Sequence, residues 1–323
     1  MMPQSGISSA PYSRAFDRAG TFSSGIEGPG EMTALSYDIP LWGAPVTHRL
    51  GVAMAFDATP YATDLSRAIE VAAADAGCAV TFAETEDAAG VEMDAVRSLR
   101  AGGIDGILLT PAAGDDVVVT GLVRLGVPTV LMDRLATRGD VDQVGTENIQ
   151  AMCDLVRHLA GAGHERIGLI SGALGIAVND ERALGYRLGL GRAGLAWQPD
   201  LVACGESTAG GAAAAAGRLL DMADAPTALL VASEAMMIGV HYEVHRRGLR
   251  PGEDLGLAGY GDADWMAAVD PALTTMAQPI EEIGKRAVHT LIARIADPDR
   301  RPDSVRLPPT FHHRTSCGCR PMP

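Results

Sequence analysis

Lysine is almost missing from this chain. Of 26 basic residues only Lys285 is a lysine, and they face 40 acidic residues, for a net charge of −14. An excess of that sign argues against general affinity for nucleic acid or for an anionic membrane surface. Long apolar runs are missing too: the uncharged apolar stretch 167–178 has 12 residues, well short of the roughly 20 that a spanning helix needs. Residues 1–48 contain no basic start followed by an apolar run, so no secretory signal is expected. Cysteine is scarce, with five scattered residues, which speaks for a reducing compartment and against a disulfide framework. There is no G-x-S-x-G elbow, no phosphate-binding loop and no recognisable nucleophile–base pair, which points away from an enzyme. Nothing calls for a cofactor. A cytoplasmic location without membrane partners is the expectation.

Hydrophobic residues make up 47% of the chain and charged residues 20%, a globular balance. A length of 323 residues exceeds what one core normally supports, about 250–300 residues, so two domains are expected. Residues 1–48, rich in Gly, Ser and Pro, show no sustained apolar period and read as an irregular leader. From Leu50 short apolar runs alternate with amphipathic stretches. Strands are expected at 50–56, 79–82, 104–109 and 128–132, with helices over 91–100 and 117–125 and one carrying Leu65, Ile69, Ala72 and Ala76. After a helix over 149–160 the rhythm restarts, with strands at 167–170, 201–204, 228–231 and 255–258 and helices over 180–193, 209–222 and 235–247. A last long helix is expected from Pro279, with Glu281 and Glu282 near its positive end. Two α/β sets in succession imply two similar lobes with parallel sheets. A ligand cleft would lie between them, beyond the carboxyl ends of the strands.

Two motifs look chemical and have plainer readings. Gly189-Leu-Gly191-Arg-Ala-Gly194 matches G-x-G-x-x-G, but a helical stretch precedes it where a dinucleotide site needs a strand. It reads as the end of a helix. His312, His313, Cys317 and Cys319 are metal-ligand types, yet Cys-Gly-Cys leaves one residue between the sulfurs where zinc sites usually leave two to four. An ordinary C-terminal end is the reading adopted, with no metal assigned. His241 and His245, at i and i+4 on an Arg-flanked helix, read as a solvated face.

Longer phrases carry more. Val156-Arg-His-Leu-Ala-Gly-Ala-Gly-His-Glu-Arg-Ile167 is followed by a strand ending in Ser171-Gly172, then Glu181-Arg182-Ala-Leu-Gly185-Tyr186 and Pro226-Thr-Ala-Leu-Leu-Val-Ala232. Gly248-Leu-Arg-Pro-Gly-Glu-Asp-Leu255 leads to Gly259-Tyr-Gly-Asp262, and Pro271-Ala-Leu-Thr-Thr-Met-Ala-Gln278 closes the series. In this order and spacing they resemble the effector-binding core of the lactose repressor/galactose repressor family of transcription regulators, over residues 50–318. The resemblance implies a type I periplasmic-binding-protein fold: α/β, two Rossmann-like lobes, ligand in the cleft, and three crossings, here near 160–165, 271–278 and 303–308. That would place 49–162 with 277–303 in one lobe and 163–276 with 304–320 in the other, with 314–316 matching the family's closing strand. It also implies a homodimer and a small polar, carbohydrate-like effector.

Several site residues follow from the resemblance together with their chemistry. Asp133, just past an apolar strand, sits where a strand mouth opens to the cleft, and a carboxylate accepts two sugar hydroxyls. Arg182 matches a family arginine whose planar fork suits vicinal oxygens or a carboxylate. Tyr61 matches an aromatic of the purine-repressor branch, and Phe56 ends the first strand; either can stack on a ring. Gln278 matches a polar crossing residue that faces the cleft. The departures bear on the ligand. Ser233-Glu234 stands where the family usually has Asn-Asp, Gly261 replaces a cleft acid with only Asp262 retained, and Ser207 replaces an aromatic. Losing a buried carboxylate removes hydrogen bonds that a polyol site depends on, which argues against an ordinary monosaccharide. Glu234 is a candidate to supply that charge from a neighbouring position.

Family repressors read DNA with an N-terminal helix-turn-helix. Here 14–20 passes for a first helix and turn, but 21–25 and Gly28-Pro-Gly30 would break the recognition helix, and the segment is net acidic. Operator binding is expected only if a headpiece is supplied or the leader itself functions. A free-standing solute-binding protein is the alternative.

Overall fold

The computed structural model describes residues 46–55, 59–112, 116–136 and 138–319. The leader reading falls almost wholly on 1–45, outside the described residues. Two six-stranded sheets organise what is described. The first is built from β1 (Arg49–Met54), β2 (Ala79–Glu84), β3 (Gly106–Leu109), β4 (Thr129–Met132), β5 (Asp142–Thr146) and, from near the end of the chain, β11 (Ser304–Leu307). Its order is β11-β5-β4-β3-β1-β2, all parallel. The second contains β6 (Ile167–Ser171), β7 (Val202–Cys204), β8 (Ala228–Val231), β9 (Gly256–Tyr260), β10 (Thr274–Ala277) and β12 (Thr310–His312). Its order, β12-β10-β9-β8-β6-β7, repeats the first, with β12 antiparallel. In both sheets the strand order reverses at the first strand, and ligands of open α/β folds bind outside the carboxyl ends there.

The period of two in a strand explains how the first sheet is covered. Leu50, Val52, Met54, Leu108, Val130 and Met132 point to one face, under α1 (Pro60–Asp75) and α9 (Ile280–Ala296). Ala53, Ile107, Leu109 and Leu131 point to the other, under α2 (Ala89–Ala101) and α3 (Val117–Arg124). α1 starts as its sequence requires, with Thr59 as N-cap and Pro60 in the first turn, and it buries Leu65, Ile69 and Ala72. The second sheet is covered by α4 (Asn148–Gly161), α5 (Ala177–Arg192), α6 (Ala209–Leu220) and α7 (Glu234–Arg246) around one core. A short α8 (Asp264–Ala268) follows β9. α5 runs through Gly189 and ends at Arg192, with Gly194 at φ 72°, so the glycine triplet is a helix end. Among the described residues no helix is long and apolar enough to cross a membrane.

The lobe boundaries differ from those expected. α4 does not finish the first lobe. Its Ala151, Met152, Leu155, Val156 and Leu159 lie in the second core, and its main neighbour is α5. The first crossing is therefore at residue 147, not at 160–165. β11 adds to the first sheet through β5, so 304–307 belongs to the first lobe and the third crossing falls at 308–309. The second crossing stands at 278–279, between β10 and α9, so Ala277 is in the second lobe. The closing strand is Thr310–His312, not 314–316. Ser316 instead anchors the tail as a buried hydroxyl, donating to Leu257 O (2.6 Å) and accepting from Thr274 N (2.8 Å).

Candidate functional site

The crossings bring polar residues from both lobes together. Thr146 ends β5 in the first lobe and Asn148 opens α4 in the second. The buried Asn148 amide donates to Thr146 O (3.2 Å) and to Glu181 Oε2 (2.8 Å). Its oxygen accepts from Arg182 Nε at 3.0 Å. Arg182, on the second turn of α5, is 6% exposed. Its Nη1 donates to Ala232 O (3.0 Å) at the end of β8, its Nη2 reaches Gln278 Oε1 at 3.5 Å, and its guanidinium carbon stands 3.9 Å from the centre of the Tyr260 ring. Gln278 Oε1 also accepts from Thr146 Oγ1 at 3.3 Å, tying two crossings together. A planar cation is thus held edge-on by three oxygens and face-on by an aromatic ring.

The first lobe offers a carboxylate and a phenol opposite this cation. Asp133 directly follows β4 with φ 60°, a left-handed conformation that Asp tolerates better than most residues. Tyr61 lies on the first turn of α1. Its hydroxyl is buried beside the Asp133 carboxylate, and burial, followed by that charge and a hydrogen bond to it, holds the phenol well above its ordinary value, with Arg182 acting the other way. Burial pushes Tyr260 up to about 12. Both phenols are neutral donors at physiological pH. A hollow of about 60 Å³ lies at the seam of the lobes between Pro111, Ala112 and Arg134 on one side and Ile176 and Ala177 on the other.

Four of the residues expected at a site, Tyr61, Asp133, Arg182 and Gln278, therefore converge. Phe56 lies outside the described residues. Ser233 is the N-cap of α7, accepting from Met236 N at 3.4 Å, a role that accounts for this residue type at this place. Glu234 is buried in the first turn of α7. Gly261 has φ 95°, and a Cβ placed there would stand 2.7 Å from the Glu234 Cβ, so the bare backbone at 261 makes room for the acid at 234. Asp262 turns elsewhere. Its carboxylate accepts from Arg314 Nη1 (2.6 Å) and Nη2 (2.8 Å) and from Thr275 Oγ1 (2.7 Å), with His312 Nδ1 at 2.5 Å. It fastens the C-terminal segment to the second sheet.

Sequence reasoning missed Thr146, Asn148 and Tyr260 as site residues. Tyr260 stands in the Gly259-Tyr-Gly-Asp262 phrase, which was the available signal; Thr146 ends a polar strand, Asn148 follows it, and neither carried one. Tyr61→Phe tests the cleft side of the phenol. Removing the hydroxyl, which lies beside Asp133, should change the stability of the free chain by about 1 kcal/mol. Ligand affinity, read by calorimetry, should fall several-fold.

Residues 156–317 match the periplasmic binding protein-like domain. The chain is similar to the HTH-type transcriptional repressor CytR of Escherichia coli, with 31% identity over 233 residues, 72% of this chain and 68% of the relative. It is also similar to the ribose operon repressor of Escherichia coli, with 28% identity over 271 residues, 84% of this chain and 82% of the relative. Among solved structures it resembles a complex of the transcriptional regulator CelR with cellobiose, at 27% identity and a TM-score of 0.77, covering 83% of this chain and 84% of the other.

Proposed function

Because this chain belongs to the lactose repressor/galactose repressor family of transcriptional regulators and carries that family's effector-binding core, we propose that it senses a small polyhydroxylated metabolite held between its two lobes. The observation that carries this reading is the convergence of Asp133 and Tyr61 from one lobe with Arg182 and Tyr260 from the other. A carboxylate accepts from adjacent hydroxyls. A guanidinium has five N–H donors, of which three are engaged with Asn148, Ala232 and Gln278, leaving two for ligand oxygens. Glu234 beside Gly261 supplies a carboxylate where the family usually has its acid one strand away. The pattern of hydroxyls the site accepts therefore differs from that of an ordinary monosaccharide site. One relative is named as the repressor of the ribose operon and one similar structure is a complex with cellobiose, which supports this ligand class.

A ligand that touches both lobes binds the closed arrangement better than the open one. Only that difference in affinity can drive the switch. The three crossings at 147, 278–279 and 308–309 are the places where the lobes pivot, and closure would alter the surface that a second copy of the chain meets, giving an output through dimer rearrangement.

A thermal-shift screen of sugars, nucleosides and small acids tests this. One class should stabilise the chain by about 2.7 kcal/mol at a hundred times its dissociation constant. Asp133→Ala should abolish the shift at the same concentration. A full response from Asp133→Ala would remove this residue from the site, and no response to any compound would count against the sensor reading. Mobility shift of DNA from upstream of the chain's own gene, with and without that ligand, reads the output. Where a headpiece is supplied or the leader functions, the shift should change with ligand.

A further inference from the structure

We propose that His158, His313, Cys317 and Cys319 form a structural zinc site that fastens the end of the chain to α4. One donor atom from each of these residues lies within 4.8 Å of every other. The set is assembled by the fold, since His158 is on the last turn of α4 and the other three follow β12. The spacing objection read from the sequence concerned Cys317-Gly-Cys319, and both sulfurs stay in the set; the member that changes is His312, which is bound to Asp262. His158 takes its place, with its Nε2 3.3 Å from the Sγ of Cys319, 161 residues away in the chain. Its ring also stands edge-on to His313 at 4.9 Å. Gly318, at φ 74°, reverses the chain between the two cysteines, which lets sulfurs one residue apart face the same point.

The chemistry of the donors selects the ion. Two thiols and two imidazoles, with no carboxylate, suit zinc and not magnesium or calcium. Tetrahedral zinc bonds of about 2.3 Å to sulfur and 2.0 Å to nitrogen put donor atoms roughly 3.3–3.8 Å apart. Side-chain rotations that draw the group in by about 1 Å complete the site. Four protein ligands leave no open position, as in structural and not catalytic sites. The surroundings match. Cys317 is fully buried, His313 is exposed at the rim and gives an entry path, and His164 Nε2 holds the Cys317 carbonyl at 3.0 Å while its Nδ1 meets Thr227 Oγ1 at 3.1 Å. That second layer orients the ligand-bearing backbone.

The test uses the tag-free full chain, purified under reducing conditions without added metal. Elemental analysis should find about one zinc per chain. After chelation, cobalt(II) should bind one to one, with the strong visible absorption of a tetrahedral thiolate site. Cys319→Ser and His313→Ala should each lower zinc affinity by more than about 100-fold against a chromophoric chelator. His313 is at the surface, so its variant decides the matter if Cys319→Ser does not fold. Failure of the reduced chain to take up zinc or cobalt stoichiometrically would overturn the proposal. So would uptake undiminished in both variants, or a Cys317–Cys319 disulfide in a metal-free native protein. None of these outcomes depends on the cleft ligand.

Discussion

Arg182→Ala is expected to lower affinity for the cleft ligand by at least about 100-fold, because two charge-assisted hydrogen bonds at about 1.5–3 kcal/mol each are lost. The same change removes the donors to Asn148 Oδ1 and Ala232 O, both at 3.0 Å, and uncovers the face of Tyr260. The free chain should therefore also lose about 1–3 kcal/mol, the usual consequence of leaving buried acceptors unpaired. Arg182→Lys separates the two effects. An ammonium keeps the charge but cannot reach three oxygens at once or lie flat on the ring, so it should recover part of the stability and little of the affinity. Calorimetric titration against the compound found in the thermal screen, beside denaturant unfolding of the free variants, measures both. Unchanged affinity in both variants would show that the arginine is only a brace between crossings.

Asp262→Ala should destabilise the chain by about 1.5–3 kcal/mol at neutral pH, since the half-buried Arg314 guanidinium loses its bidentate partner and keeps only Leu273 O and Thr275 Oγ1. For a chain of this size that is a drop of a few degrees in Tm. The pH dependence has a definite sign. Burial raises the Asp262 pKa, but the hydrogen bonds from Arg314, Thr275 and His312 outweigh it, and the folded value lies below the ordinary one. The unfolded state thus binds the proton more readily. The stabilisation is fully present above the unfolded pKa of about 3.9 and is lost as pH falls through the folded value. Wild type and variant should converge in stability in that acid range. A difference that stays constant down to low pH would mean that packing, not charge, explains the effect.

The strands that were legible in the sequence are those buried on both faces by apolar residues, such as 167–170 and 228–231, because a short apolar run between turn signals has few other solutions. β5 was not legible. Its residues read Asp142-Gln-Val-Gly-Thr146, yet Asp142 is fully buried, paired with Arg294 Nε at 2.8 Å and with Asp303 N at 2.8 Å. Those partners stand 152 and 161 residues away, so no local pattern announces that the polar strand is paid for. The site was half legible. Arg182, Asp133, Tyr61 and Gln278 were singled out because a resemblance located them, whereas Asn148 and Tyr260 gain their roles only from where Arg182 ends up.

What the sequence by itself determined is the class of fold, two repeated α/β sets, and the family, since apolar periodicity and ordered phrases are local properties of a chain. Which lobe owns α4 was beyond it. The stripe of Ala151, Leu155 and Leu159 would cover either sheet, and only packing against α5 assigned it to the second. Tertiary structure also turned Asp262 toward Arg314, set Glu234 against Gly261, and carried His158 to Cys317 and Cys319. Each of these is a contact between residues far apart in the chain, and such contacts are decided by how whole elements pack, not by the spacing of residues along one of them.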